Sequence, residues 1–384
     1  MALLQAGSDD DGRRLDRILR KALPGVPLSA LHRLLRRGRI LVDGRPAAAA
    51  DRVAAGSVIL VPDAAALPGG DPAVPAGTPV GTPAGTPAPG ASGVGGAWSE
   101  RGRPAAPVRR PEILAEGRDL LILNKPAGLA AHGPDSLDAW VQSYLENTLP
   151  PSLSFRPGPL HRLDRPSSGI IVFSKSLEGA RRFSFLLKER RMGKYYLALA
   201  EGALDGAERW VDRLAGKDAA GGVLRPVRPA GRAGKDAVTG TQLPAGAGKE
   251  AVTWVRPLAG AGGFTLLLAK IATGRTHQIR AQAALRGHPL AGDRKYGGHG
   301  KEFFLHAWTL EIPLEELAAL GLEGGGVPGT EGGGGDGAGA YFRITAPPPG
   351  PFRRRIAELF GENTLRNIGN PPRILSLFVP LVLY

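Results

Sequence analysis

The chain has 384 residues, with 49 Lys and Arg against 35 Asp and Glu, for a formal charge of +14. That length supports a large core and two domains, and the positive excess favours a polyanionic partner, nucleic acid ahead of an anionic membrane. Cysteine is absent, which excludes disulfides, thiol catalysis and thiolate-held zinc or iron–sulfur centres, and the seven histidines are scattered without ligand spacing, so no metal is expected.

The N-terminus carries no basic stretch followed by an apolar one, as a secretory signal would. No apolar run approaches the ~20 residues of a membrane span. The nearest, 374–384, is short and holds Pro380. A cytoplasmic location without membrane association is expected.

Residues 1–62 read as a small domain, compact from Arg13 to Pro62. Leu15, Ile18, Leu19 and Ala22 recur at helical spacing, and Ser29 is placed to cap a second helix carrying Leu31, Leu34 and Leu35, with Gly38 past its end. Short strands at 40–42 and 58–61 flank an Asp43-Gly44 turn. Between Arg13 and Arg39 stand nine Lys or Arg and one acid, Asp16, which is either a nucleic-acid surface or a solvated basic face. Residues 63–110 are rich in Ala, Gly and Pro, with Gly-Thr-Pro at 77, 81 and 85, and read as a flexible linker.

A second domain spans 111–360. Leu120 to Leu123 is an apolar strand running into the turn Asn124-Lys125-Pro126-Ala127-Gly128, and Leu137 to Leu145 is a helix. The stretch from Gly158 to Lys175 sets a polar cluster, His161, Arg162, Asp164, Arg165, Ser167 and Ser168, against the apolar strand Ile170 to Phe173. Ser176 caps a helix with the stripe Leu177, Ala180, Phe183 and Leu187 and basic residues elsewhere. Lys194 to Ala200 alternates as a strand, with Tyr195, Leu197 and Leu199 on the expected core face. Tyr196 lies over small alanines on the other face, where a flat ring either meets a planar ligand or simply packs.

Residues 213–248 read as a surface insert and 324–339 as a glycine insert. Between them, Phe264 to Ile271 is a strand, and Thr273-Gly274-Arg275-Thr276-His277-Gln278-Ile279-Arg280 turns into a helix that Thr276 can cap and Gly287 can end. A cation at a helix N-terminus opposes the macrodipole, so Arg275 suggests an external anion such as phosphate. Arg280, one turn inside, suits a buried carboxylate. Strands at 303–312 and 341–346 and a helix at 352–360 follow, and no role attaches to 361–384.

From residues alone, Asp164 between two arginines suits a nucleophile or base more than an acid. A Ser-His-Asp hydrolase lacks its Gly-x-Ser-x-Gly elbow around Ser167 and Ser168, and a two-carboxylate glycosidase lacks an acidic partner nearby. An Asp-Arg pair that merely fixes a loop also remains open.

Two resemblances narrow this. Arg14-Leu15-Asp16-Arg17 with Gly38-Arg39-Ile40-Leu41-Val42-Asp43-Gly44 resembles the S4 RNA-binding domain, Asp43 standing for the commoner Asn. His161-Arg162-Leu163-Asp164-Arg165-Pro166-Ser167-Ser168-Gly169, Lys194-Tyr195-Tyr196-Leu197-Ala198 and Thr273 to Arg280 resemble, in order, the RluA-type pseudouridine synthases. Asn124 to Gly128, Gly287-His288-Pro289 with Gly292-Asp293, and Leu305-His306-Ala307 match further blocks; Ser167 replaces the usual Thr, and the long inserts depart from the pattern.

The resemblance implies an α+β pseudouridine synthase fold with a mainly antiparallel central sheet flanked by helices and loops, preceded by the S4 αα-β domain. It implies isomerisation of uridine in RNA without cofactor or metal. Asp164 would be the catalytic carboxylate, attacking C1′ or taking the C2′ proton; Tyr196 would stack on the uracil and help deprotonate C5; Arg280 would hold Asp164. Arg162 would fill the place of the flipped base, with His161, Arg275, Ile279 and Leu305 as further substrate contacts. Arg13, Arg14, Arg17, Arg33, Arg36, Arg37 and Arg39 would bind RNA from the S4 domain. The expected partner is 23S rRNA or the assembling large ribosomal subunit, met by a monomer. Transfer RNA is the alternative substrate, and a silent rRNA-binding assembly factor the competing class.

Overall fold

The computed structural model describes residues 1–62, 110–133, 135–217, 248–323 and 338–375, with short segments at 224–228, 234–236, 242–243 and 333–335. The linker expected at 63–110, apart from Arg110, most of both inserts and residues 376–384 lie outside the described residues. Two compact units divide the chain, 1–109 with 151–154, and 110–150 with 155–384.

In the first unit, helices α1 (Leu15–Ala22) and α2 (Leu28–Arg36) pack on a four-stranded antiparallel sheet of order β1-β4-β2-β3, built from β1 (Ala2–Gln5), β2 (Leu41–Val42), β3 (Arg45–Pro46) and β4 (Val58–Val61). Leu15, Ile18, Leu19, Leu31 and Leu35 bury with Ile40, Val53 and Ile59, as their helical spacing requires. Ser29 is not the cap of α2. The carbonyl of Pro27 already accepts from the Ala30 and Leu31 amides, so the helix begins before Ser29. The first strand, four residues of mixed polarity, carries too little period to signal itself in the sequence. Asp43 and Gly44 both have positive φ, the two-residue turn that suits a twisted hairpin, and Asp43 Oδ1 accepts from the Val58 amide at 2.8 Å.

The second unit is an α+β sheet domain. Its strands run in the order β9-β10-β11-β8-β12-β7-β6-β5, where β5 is Glu112–Glu116, β6 Leu120–Lys125, β7 Ser168–Ser174, β8 Gly193–Glu201, β9 Glu208–Lys217, β10 Lys249–Ala261, β11 Phe264–Ile271 and β12 Leu305–Pro313. Each of these junctions is antiparallel except β7 with β12, which run parallel at Ser168 opposite His306 and Gly169 opposite Ala307. A further strand, β13 (Ala338–Thr345), pairs with the far end of β12.

The sheet is covered on both faces, which corrects the expectation of a single core face on β8. Tyr196, Ala198 and Ala200 bury against a cluster that includes α3 (Leu137–Leu145) and α4 (Leu177–Lys188). Tyr195, Leu197 and Leu199 bury with Trp308, with Phe352 and Ile356 of α6 (Gly350–Phe360), and with Ile368, Ile374 and Leu375. Part of the C-terminal segment therefore closes the second core. On α4 the deeply buried positions are Gly179, Phe183 and Leu186 rather than Leu187; Ser176 does cap it, accepting from the Gly179 amide at 3.0 Å. Strand β10 begins where the insert ends, in a stretch to which the sequence reading assigns no element.

Gly169 has φ +108°, and a Cβ there would lie 2.2 Å from the Ala307 carbonyl oxygen. Only glycine permits this close parallel pairing. Beside it, His306 is fully buried, with Nε2 donating to the Ala346 carbonyl at 3.0 Å and Nδ1 accepting from Ser168 Oγ at 2.9 Å. Burial pulls its pKa down to about 4. Unfolding frees the ring to take a proton, so the fold keeps its full stability above pH ~6.5 and loses about 3 kcal/mol as pH falls from there through about 4. Urea midpoints at pH 7 and pH 4.5 should therefore fall further for the wild type than for His306→Gln; equal losses would refute this role.

Candidate active site

The pocket lies in the second unit, where the sheet brings three neighbouring strands together. The loop into β7 supplies Asp164, β8 supplies Tyr196, β12 supplies Leu305, and the segment between β11 and α5 (Gln278–Leu285) closes the rim. These residues, with His161, Arg162, Lys194, Arg275 and Ile279, line an open cavity of about 510 Å³. A register shift between Tyr195 and Tyr196 against β12 makes a bulge at this point, a device that re-aims side chains.

Sequence motifs become supports here. The buried Lys125 ammonium donates to the carbonyls of Pro126, Leu129 and Arg165 at 3.0, 2.9 and 3.2 Å. Burial lowers its pKa to about 8 against the pull of the Asp164 charge. The Gly128 amide and the Arg165 guanidinium tie the same loop from both sides, at 2.9 and 3.0 Å. Lys125 therefore braces the Asp164 loop against the end of β6. Gln278 does the same for the opposite rim: its Oε1 accepts from Thr273 Oγ1 and the Arg275 amide, and its Nε2 donates to the Val252 carbonyl and Thr253 Oγ1.

Asp164 Oδ2 accepts from Arg280 Nη1 at 2.9 Å. The rest of that guanidinium faces Asp293, with Nε to Oδ2 and Nη2 to Oδ1 both at 2.7 Å. Its plane lies between the Tyr296 and Phe303 rings, 5.2 and 5.1 Å from their centroids. Burial disfavours the charge on Arg280, yet Asp293 and Asp164 together raise its pKa. Asp293 was not among the expected site residues; the only sequence signal was its place beside Gly292 in a matched block. His277 was also missed. It sits at φ +52°, an uncommon conformation for a side chain of this size, with Nε2 3.7 Å from Asp164 Oδ1 and Nδ1 3.0 Å from the Tyr296 hydroxyl.

That geometry overturns Thr276 as the cap of α5. His277 occupies the cap position, and the Thr276 hydroxyl accepts from Arg162 Nη1 at 3.1 Å instead. Gly287 follows the helix at positive φ, as a terminating glycine does. Burial, with the Asp164 charge, raises the Tyr196 phenol well above its ordinary pKa. His161 Nε2 accepts from the Val172 amide at 3.1 Å, and burial together with the Lys194 charge lowers its pKa to about 3, so the ring is neutral. Arg275 Nε donates to the Glu250 carbonyl at 2.9 Å, leaving its terminal nitrogens at the rim. Ile279 and Leu305 are buried in the pocket wall.

In the first unit, Arg17, Arg36, Arg37 and Arg39 are exposed and Arg33 half-buried. Arg14 is paired with Asp16 at 2.8 Å, and Arg13 Nη1 donates to Ser154 Oγ at 2.6 Å. Among the described residues no cluster of three His, Asp or Glu is arranged to hold a metal, and no helix is long and apolar enough to cross a membrane.

A family model described as RNA pseudouridylate synthase matches residues 119–285, and one described as S4 domain matches residues 13–59. The chain is 30% identical over 312 residues to ribosomal large subunit pseudouridine synthase C of Vibrio cholerae serotype O1, covering 80% of this chain and 84% of that protein. It is 30% identical over 317 residues to the protein of the same name from Escherichia coli K12, covering 79% and 86%. Among solved structures, human RNA pseudouridylate synthase domain containing 4 is 18% identical, covers 65% of this chain and 93% of its own, and has a TM-score of 0.47. An identity of 30% sustained over four-fifths of the chain means that it belongs to the RNA pseudouridylate synthase family.

Proposed function

We propose that the enzyme isomerises uridine to pseudouridine in 23S rRNA, with Asp164 as the catalytic carboxylate. The observation that carries this reading is Asp164 held at the pocket wall by Arg280 at 2.9 Å, with Tyr196 lining the same cavity. The names of the relatives support the large ribosomal subunit as the source of substrate. The reading takes the protein to be a cytoplasmic monomer that needs no metal or cofactor, with 1–62 as its S4 domain and 111–360 as its catalytic domain.

In this reading the target uridine leaves the stack at a cost of a few kcal/mol, and Arg162, exposed at the rim and steadied by Thr276, takes its place. Asp164 then attacks C1′ or removes the C2′ proton, and the C1′–N1 bond breaks. The uracil turns and C5 bonds to C1′ as the Asp164–C1′ bond breaks or as Asp164 returns the proton to C2′, after which the C5 proton departs and N1 takes one up. Tyr196 stacks on the base while Asp164 is charged, because burial and that charge keep its phenol protonated. After C5 has bonded C1′, Tyr196 beside the base helps to carry the C5 proton away.

Incubating 23S rRNA transcript and total transfer RNA with the enzyme and mapping pseudouridine tests the substrate. New pseudouridine in 23S rRNA supports it; modification of transfer RNA alone overturns it. A second test concerns the first unit. Replacing Arg17, Arg36 and Arg37 by Ala should reduce the slope of log K against log salt by about 2–3, since each phosphate contact contributes roughly 0.7–0.9. An unchanged slope would mean that these arginines form a solvated face.

A further inference from the structure

The cations of the pocket differ in what already occupies them. Arg280 is neutralised by Asp164 and Asp293, and Lys125 is enclosed by three carbonyls. Arg162 and Arg275 stand at the rim, each with one side-chain bond to a neighbour, and Lys188 and Arg190 line it as exposed side chains in reach of solvent. Lys194 is different. It lines the cavity from β8, two residues before Tyr196 and so on the same face of the strand. Among the described residues no hydrogen bond or ion pair holds its ammonium. The backbone facing it is bare at Gly274, where a Cβ would lie 3.8 Å from Lys194 Nζ. Burial brings its pKa down to about 8, so it stays mainly protonated at neutral pH.

An unpaired ammonium at this depth destabilises the fold, and it is offset only if the substrate brings negative charge to it. Phosphates suit the exposed rim arginines. The group that enters deepest is the base, and it acquires charge only during the reaction: when C1′–N1 breaks, the electron pair leaves with N1 and spreads over O2 and O4 of the ring. We infer that Lys194 donates a hydrogen bond to the departing uracil anion and so stabilises the transition state for C1′–N1 cleavage. Lys194 keeps its proton throughout. The ring's charge is discharged when C5 uses its electrons to bond C1′, with Asp164 released from C1′ or its proton returned to C2′, and the proton lost from C5 is replaced by one at N1. This role rests on the pseudouridine synthase reading above, and it is electrostatic stabilisation aimed where charge develops.

Single-turnover C1′–N1 cleavage should be compared on RNA with uridine or 5-fluorouridine at the target, at pH 6.5, where both bases keep the N3 proton. Fluorine stabilises the leaving anion and so reduces the need for Lys194. Lys194→Met, which keeps the volume and removes the charge, should slow the uridine reaction by about 100-fold, and the 5-fluorouridine reaction by less than about tenfold, with RNA affinity within about twofold of wild type. Lys194→Arg should stay within about tenfold of wild type on uridine, and it decides the matter if the Met variant fails to fold by circular dichroism. Equal losses on both substrates, a loss confined to RNA affinity as for a phosphate clamp, or an Arg variant as slow as a charge-free one would overturn the inference. A wild type that forms no pseudouridine would instead overturn the parent reading.

Discussion

Asp164→Asn is expected to lower pseudouridine formation by on the order of 10⁴ or more while leaving RNA affinity within about twofold of wild type. The asparagine carbonyl can still accept from Arg280 Nη1, and Arg280 keeps both of its bonds to Asp293, so the pocket wall survives the change. What disappears is the negative oxygen that, in the proposed mechanism, attacks C1′ or removes the C2′ proton. Asp164→Glu preserves that charge but moves the carboxylate by about one bond length, and displacement of that size costs roughly 10²-fold. The order wild type, Glu, Asn is therefore the signature of a reacting carboxylate. If Asp164 merely fixed its loop through Arg280, Asn would be the milder of the two changes, and mass spectrometry of nucleoside digests from single-turnover reactions would show it.

Much of this arrangement is legible in the chain where local chemistry decides it. Leu137–Leu145 begins one residue after Ser136, whose hydroxyl accepts from the Ala139 amide, and Phe264–Ile271 is a strand with the bounds its apolar run implies. The segments misread are those whose structure depends on distant partners. Lys249–Ala261, just past the Gly- and Ala-rich insert, carries no element in the sequence reading, yet antiparallel partners on both sides make it a thirteen-residue strand. Tyr195, Leu197 and Leu199 fall on a core face as their alternation implies; that the opposite face is also covered depends on the packing of α3 and α4, which no pattern within β8 encodes. His277 illustrates the limit best. A helix-cap rule selects Thr276, whereas the conformation at His277 is set by contacts with Asp164 and Tyr296 that no local pattern encodes.

Arg280 is the side chain on which the site's geometry converges, and Arg280→Lys should lower turnover by roughly 10²–10³, or about 2.7–4 kcal/mol in barrier, with little change in KM. A planar guanidinium holds two carboxylates on different edges, Asp293 through Nε and Nη2 and Asp164 through Nη1. An ammonium is a compact charge on a flexible stem and cannot reproduce that fork. Asp293 is the more deeply buried of the two acids, so the lysine remains with it and Asp164 loses its fixed aim. Arg280→Met is a different experiment. It strands two carboxylates in a buried setting, and a loss of about 3–5 kcal/mol in stability would mask the chemistry. Asp293→Asn supplies the complement, since it loosens the guanidinium while leaving its bond to Asp164 intact. Both Arg280→Lys and Asp293→Asn should reduce kcat more than KM in variants that remain folded at the assay temperature. A wild-type kcat in Arg280→Lys would show that charge near Asp164 suffices, and that the fork contributes only to the fold.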